Sequence, residues 1–319
     1  MKKRVVSVVV PVYNEEEGIL DFLDGQLLPV VDSLSYEVEI IVVNDGSRDN
    51  TLREIDKSKT KKRKGFKLLS FTRNFGKEIA LSAGIKEATG DAVILIDGDG
   101  QHPVEMISKM IAEWEKGAEI VTAVREENTT RHKLGSKIYY MTMRLFGNKR
   151  VVVGAMDFRL ISRNVADEFN DFTERNRLAR GLIDWMGVPQ TYIKVKTKNR
   201  VKGKPTYSAK RLARLTVDSL VSASRTPLLI FGYIGVFITV VSFLFGLFIL
   251  IQQYILGDPL GLDWSGAVAM SVFVSFLVGL VLISQAITAL YISQIHVEAK
   301  GRPLYIIDKK KSYGIKGSD

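Results

Sequence analysis

The chain has 319 residues, 46% of them apolar, and a formal net charge of +10; it can bury one large core or two smaller ones and is not a disordered chain. It has no cysteine and three histidines, which excludes disulfides, thiolate metal sites and cysteine nucleophiles, argues against a His-rich zinc centre, and fits a reducing compartment. The basic excess calls for an anionic partner, with nucleic acid, phospholipid headgroups and phosphorylated substrates all open at this level.

The first predicted element is the apolar run Val5 to Val12. Basic residues precede it, as in a signal peptide, but it is short, is interrupted by Ser7 and enters Tyr13-Asn14-Glu15 without a small-residue cleavage site, so it reads as a buried β-strand. Further β-branched runs follow at Val38 to Val43, Phe66 to Phe71, Ala92 to Ile96 and Glu119 to Val124. Helical patterns lie between them at Glu16 to Leu34, Thr51 to Lys57, Lys77 to Ala88 and Pro103 to Lys116. The alternation predicts an α/β head with a mostly parallel sheet covered on both faces. Ligands of such sheets bind at the carboxyl ends of the strands.

The residues just past those ends are polar. Strand one runs out in Pro11-Val12-Tyr13-Asn14-Glu15, strand two in Asn44-Asp45-Gly46-Ser47 and strand four in Asp97-Gly98-Asp99-Gly100-Gln101. Asn-Asp-Gly-Ser by itself is an ordinary helix N-cap or turn signal. Asp97 and Asp99 are less ordinary, since two carboxylates one glycine apart concentrate negative charge where nothing basic adjoins them in sequence. Mg²⁺ or Mn²⁺ bridging to a diphosphate would relieve that repulsion. The glycines allow backbone to approach a ligand closely.

Beyond the head, Ser208 to Arg225 carries Leu212, Leu215, Leu220 and Val221 at near-helical spacing with Lys210, Arg211 and Arg214 beside them. Residues 208–226 are therefore an amphipathic juxtamembrane segment, lying on anionic lipid or packed on the head as a surface helix. Residues 227–256 and 266–294 are uncharged, each longer than the roughly 20 residues that cross a bilayer core. They predict a transmembrane hairpin joined by the loop 257–265. That loop holds Asp258 and Asp263 and no Lys or Arg, whereas the flanks carry Arg214, Arg225, Lys300, Arg302 and Lys309 to Lys311. The positive-inside rule then puts both termini, the head (1–207) and the basic tail (295–319) in the cytoplasm, on a multi-pass protein of the cell membrane.

Taken together, the strand-end motifs resemble the family-2 glycosyltransferases of GT-A fold, in order and spacing. Arg73-Asn74-Phe75-Gly76-Lys77-Glu78, Gly154-Ala155-Met156-Asp157-Phe158-Arg159-Leu160 and Arg177-Leu178-Ala179-Arg180-Gly181-Leu182 look like the polyprenyl-phosphate branch, which includes dolichyl-phosphate mannose synthases and bactoprenol glucosyltransferases. The hairpin followed by Arg302-Pro303-Leu304-Tyr305 is similar to the bactoprenol type. The resemblance implies that Pro11, Tyr13, Glu15 and Asp45 hold the nucleotide base and ribose, and that Asp97, Asp99 and Gln101 hold the metal and the diphosphate. It implies that Asp157 lies near the acceptor, as a base or, because a phosphate acceptor is already ionised, as a group that orients a cation or excludes water; the plainer alternative is that it caps or braces the next segment. It puts Arg125, Arg131, Lys133 and Lys137 where basic residues meet the donor diphosphate or the acceptor phosphate. Relatives often have a Ser-Lys-Tyr or Thr-Lys-Trp after an arginine and a glycine; here the chain reads Arg200-Val-Lys202-Gly203-Lys204-Pro205-Thr206-Tyr207, so that lysine's role passes to Lys202 or Lys204 or is lost.

The implied reaction is inverting transfer of a hexose, glucose preferred, from a UDP-sugar (GDP less favoured) to polyprenyl phosphate such as undecaprenyl phosphate, with a metal and arginines stabilising the departing diphosphate. The implied assembly is a homo-oligomer, with a tetramer as one option. A processive polysaccharide synthase is the competing enzyme, against which stand only two spans and no Gln-x-x-Arg-Trp near Trp185. A non-catalytic membrane scaffold would be expected to have lost Asp97, Asp99 and Gln101. Nucleic-acid binding lacks the aromatic-basic interleaving of a stacking platform.

Overall fold

The computed structural model describes residues 4–126, 154–175, 177–195 and 266–315, with 244, 247 and 251 as isolated positions. The described residues up to Val195 and from Arg302 belong to one compact unit, and helix Gly266–Ala299 to another.

The head is a seven-stranded sheet: β1 (Val5–Val12), β2 (Glu37–Asn44), β3 (Phe66–Ser70), β4 (Ala92–Leu95), β5 (Ile120–Arg125), β6 (Ala155–Ser162) and β7 (Gln190–Val195). Their order across the sheet is β3-β2-β1-β4-β6-β5-β7. Strands β1 to β4 pair in parallel, and β5 pairs in parallel with β7. The one reversed strand is β6, antiparallel to both β4 and β5. The expected mostly parallel α/β sheet is thus present, with five strands where the sequence pattern puts them. Strands β6 and β7 are not among the expected strands; β6 stands between β4 and β5, and β7 lies at the edge beyond β5.

The helices are α1 (Leu28–Asp32), α2 (Thr51–Lys57), α3 (Lys77–Glu87), α4 (Met106–Glu115), α5 (Arg163–Asp171), α6 (Ala179–Trp185) and α7 (Gly266–Ala299). The single helix expected over 16–34 is instead a π-helical stretch, Asp21–Leu27, running into α1. Pro29 falls where the π-helical stretch passes into α1, and its missing N–H removes one bond of the ladder at that junction.

Both faces of the sheet are covered, which is why its strands read as continuous apolar runs. Val6, Val8, Val10 and Val12 pack with Phe22, Leu23, Leu27, Ile107 and Met110 on one face. On the other, Val9, Ile41, Val43 and Leu95 meet Ala80, Leu81 and Ile85 of α3 and Phe169 of α5. Gly84 makes the α3 contact close, since a Cβ there would lie 2.2 Å from a Val9 methyl.

Pro11 lies inside β1, an interior strand, where a proline ordinarily breaks a ladder. Odd-numbered residues of β1 bond toward β4, as Val5 accepts from Asp91 N–H and Val9 from Ile96 N–H. Pairing with β4 ends at Val9 and Leu95, so Pro11 falls where the two strands have parted and no donor is missed. The same parting opens the crevice. Connections from β1 run through β2 to β3 on one side and return to β4 on the other, which makes the gap between the carboxyl ends of β1 and β4 the topological switch point.

Residues 302–315 return to the free edge of β3. Leu68 and Tyr313 exchange two backbone hydrogen bonds, Asp308 N–H donates to Ser70 and Thr72 N–H to Ile306. Tyr305 stacks on Phe71 at 4.9 Å between centroids and Tyr313 on Phe66 at 5.7 Å. An otherwise open sheet edge is thereby capped.

Among the described residues, no helix is long and apolar enough to cross a membrane. Helix α7 runs 34 residues, but only some of its side chains are described. Residues 208–226, nearly all of 227–256, and 257–265 lie outside the described residues, so the spanning hairpin remains a proposal.

Candidate active site

The site is assembled by register. Antiparallel pairing sets Ala92 against Ser162 and Leu95 against Arg159. Continued two residues past the end of β4, that register brings Asp97 level with Asp157, and Lys77 contacts both. Because β6 is reversed, its first residues lie at the edge where β4 ends. Two carboxylates 60 residues apart in sequence are therefore brought face to face, an arrangement that like-charge repulsion opposes.

Lys77, the first residue of α3, lies between them. Its Nζ is 2.8 Å from Asp97 Oδ1, 2.9 Å from Asp97 Oδ2 and 2.9 Å from Asp157 Oδ2. His102 Nε2 adds a 3.2 Å contact to Asp97 Oδ2. Burial alone would raise the Asp97 carboxyl, but His102 and Lys77 override it and hold Asp97 far below the usual carboxylate range. Asp157 is likewise pushed up by burial and pulled down further by Lys77, ending below its ordinary value. Burial disfavours the charged form of Lys77, yet the two aspartates outweigh it and keep the lysine protonated.

Lys77 is aimed by the loop before it. Asp45, buried at the end of β2, accepts from Phe75 N–H at 2.7 Å and Gly76 N–H at 2.9 Å. Burial raises the Asp45 carboxyl even so. Gly46 has φ +66°, and a Cβ there would lie 2.3 Å from the Arg73 carbonyl carbon, so the loop rests directly on that glycine. The Asn-Asp-Gly-Ser segment is therefore a turn that fixes a second turn, and both Asp45 oxygens are engaged by backbone.

Next to Lys77, Glu78 accepts from Ala179 N–H at 2.8 Å and ties α6 to α3. Burial, reinforced by the charge on Asp157, raises its carboxyl to about 7. Arg180 donates to the Ala155 carbonyl just ahead of Asp157.

The other expected residues line the same edge. Pro11 is in β1, and Tyr13 is 37% exposed beyond it. Asn14 has φ 54°; its N–H donates to Ser47 Oγ and its Oδ1 accepts from Arg48 N–H. The Glu15 N–H donates to Thr51 Oγ1, tying the segment after β1 to the start of α2. Asp99 Oδ1 accepts from Gln101 N–H at 3.0 Å in the turn after β4. Arg125, exposed at the end of β5, donates its N–H to the Gly154 carbonyl and so flanks the entry to β6. Arg131, Lys133, Lys137, Arg200, Lys202 and Lys204 lie outside the described residues.

Lys77, Glu78 and His102 received no role from the sequence pattern. The signal for Lys77 was present in the Arg73 to Glu78 motif, but its partners Asp97 and Asp157 adjoin only through the β4 and β6 pairing. The statement that nothing basic adjoins Asp97 and Asp99 holds along the chain and fails in space.

Among the described residues, no group of three or more His, Cys, Asp or Glu is arranged to hold a metal ion. The donors of Asp97, Asp99 and Gln101 are two carboxylates and one carboxamide, all oxygen, in a glycine-containing turn at a strand end. That chemistry fits a hard divalent cation that completes its shell with phosphate oxygens. Both Asp97 oxygens already meet Lys77, so a cation there has to share Asp97 with it.

A bactoprenol glucosyl transferase of Shigella phage SfX is 36% identical over 309 residues, which covers 96% of this chain and 99% of that protein. A prophage bactoprenol glucosyl transferase homolog of Escherichia coli is 35% identical over a similar span. In structure, a glucosyl-3-phosphoglycerate synthase from Mycobacterium tuberculosis, solved in complex with Mn²⁺, UDP and phosphoglyceric acid, matches with a TM-score of 0.50 at 20% identity over 69% of this chain and 78% of that one. The fold is thus shared at a distance where sequence alone shows little. The sequence profile described as Glycosyl transferase family 2 matches residues 7–169, a span running from β1 through the facing pair Asp97 and Asp157 into α5, and the chain belongs to that family.

Proposed function

We propose that the protein transfers a hexose, glucose by preference, from a UDP-sugar to polyprenyl phosphate at the cytoplasmic face of a membrane, with inversion at the anomeric carbon. The observation that carries the proposal is the facing pair Asp97 and Asp157, held at the switch-point crevice in a chain 36% identical along almost its whole length to a bactoprenol glucosyl transferase.

In this proposal Pro11, Tyr13, Glu15 and Asp45 form the nucleoside end of the crevice. Asp45 acts there by holding the 73–76 loop, because both its oxygens are taken by backbone donors. Asp97, Asp99 and Gln101 would hold Mg²⁺ or Mn²⁺, which when bound offsets the charge of the donor diphosphate. Arg125 would lie toward the acceptor or diphosphate. The acceptor phosphate oxygen attacks the anomeric carbon, the new C–O bond forms on the face opposite the nucleoside diphosphate, and the bond to that diphosphate breaks. A phosphate is ionised near neutral pH, so no strong base is needed. Asp157 suits that requirement: an aspartate tied to Lys77 and held below its ordinary pKa is a poor proton acceptor and a good fixed charge. It orients rather than deprotonates.

The apolar stretches 227–256 and 266–294 would span the membrane. Support comes from their sequence and from α7, whose 34 residues at about 1.5 Å each exceed the roughly 30 Å bilayer core. The return of residues 302–315 to the β3 edge is what a hairpin with both ends on the head's side requires.

The test is to incubate purified full-length protein with undecaprenyl phosphate, Mg²⁺ and a panel of nucleotide sugars, and to weigh the lipid product by mass spectrometry. A lipid phosphate heavier by one hexose, formed best from UDP-glucose and lost in Asp99→Asn, is expected. No lipid-linked sugar from any donor sinks the proposal, and full activity with EDTA present sinks the metal assignment.

A further inference from the structure

Resting on that proposed function, we propose that Lys77 is a positioning residue that holds the Asp97 and Asp157 carboxylates face to face and limits how tightly a divalent cation can engage Asp97.

The register leaves little choice. The antiparallel ladder of β4 and β6 ends at Leu95 with Arg159, and its register continued two residues brings Asp97 level with Asp157, where Lys77 contacts both. Without a cation between them the two carboxylates would separate or take up a proton. Lys77 reaches both, with contacts of 2.8 to 2.9 Å, and its side chain remains 34% exposed. It is thus accessible to solvent. Its backbone is not free to move: Gly76 at φ +106° starts the helix, and Asp45 grips the two residues ahead of Lys77.

A lysine so placed has two consequences that separate. It joins the strand end that carries the donor-side turn to the strand that carries Asp157, so its loss lets the halves of the site drift apart and lowers turnover. It also puts a positive charge on both Asp97 oxygens, opposing any second cation at that carboxylate. Removing the charge while keeping the stem therefore weakens catalysis and strengthens cation binding. A lysine serving only fold stability would weaken both.

The experiment uses full-length protein in detergent without donor or acceptor and reads Mn²⁺ binding by the loss of the free-ion electron paramagnetic resonance signal. Lys77→Met is expected to bind Mn²⁺ about tenfold more tightly than the parent, the scale of removing one adjacent like charge, while kcat in the lipid assay falls at least about tenfold with a smaller change in the donor KM. Lys77→Arg, which keeps the charge, should bind Mn²⁺ within about twofold of the parent and recover part of kcat. Unchanged or weaker Mn²⁺ binding by Lys77→Met overturns the proposal, as does a Lys77→Arg variant that binds as tightly as Lys77→Met. If Lys77→Met fails to fold, Lys77→Gln takes its place under the same criteria. The resting-state titration needs no turnover, so it judges Lys77 even if the lipid acceptor proves to be wrong.

Discussion

Glu78 shows how a single side chain in this site is set by its surroundings. It is held close to Asp157 on one side and accepts the Ala179 N–H on the other. Its carboxyl ionises at about 7 in the fold against 4.5 ordinarily, so the folded protein keeps a proton that the unfolded chain has released. Below about pH 4.5 both states are protonated and the contribution to stability is complete. As pH rises from there to about 7 the unfolded state ionises first and stability falls, by on the order of 3 kcal/mol across the window. Glu78→Gln keeps an acceptor for Ala179 and has no titration. Its melting temperature should therefore gain on the parent between pH 5 and pH 8, by several degrees, in thermal scans of the detergent-solubilised protein. A gap that does not change with pH would show that Glu78 is not protonated in the fold.

At the scale of elements, the C-terminal segment behaves as an eighth, irregular edge of the sheet. Its contacts with β3 and the residues just after it are isolated bridges, Tyr313 with Leu68 and Ile307 with Phe71, joined by Ser312 Oγ, which accepts from Ser70 N–H, and by the Ile306 carbonyl, which accepts from Thr72 N–H. Thr72 immediately precedes the loop that aims Lys77, so the segment bears on the site as well as on the edge. Tyr305→Ala and Tyr313→Ala should each cost about 1–3 kcal/mol, from lost stacking and apolar burial. Ending the chain after Gly301 should lower the melting temperature further and promote association through the bared β3 edge. Light scattering and thermal scans check both. A truncated protein as stable and monodisperse as the parent would show the segment to be dispensable.

For the whole molecule, the charge distribution makes a directional prediction. The connector 257–265 holds only acidic charges while basic residues crowd the far ends of both apolar stretches, so the connector should face outward and the head inward. A chain with no cysteine suits a labelling test without background. In intact cells a membrane-impermeant maleimide should label Asp258→Cys, and should label Lys116→Cys, exposed at the end of α4, only after permeabilisation. Labelling of Lys116→Cys in intact cells would reverse the topology, and labelling of Asp258→Cys only after permeabilisation would remove the spans.

The sequence by itself determined whatever depends on local periodicity and on residue type. Apolar runs with β-branched residues must be buried strands, so β1 to β5 and helices α2, α3 and α4 were legible, as were the polar strand ends at Asp45, Asp97 and Asp99; the π-helical stretch Asp21–Leu27 was not. Strands β6 and β7 were not: Met156 to Leu160 does alternate apolar and charged residues, but Asp157 and Arg159 read as site residues of a motif and hid the strand, and Gln190 to Val195 is only partly apolar. What only the tertiary structure decided is which charges meet. A reversed strand inserted beside β4 sets Asp157 against Asp97, and the turn gripped by Asp45 delivers Lys77 between them. Those partners are 20 to 80 residues apart, and electrostatic energy depends on distance in space, to which sequence separation gives no guide.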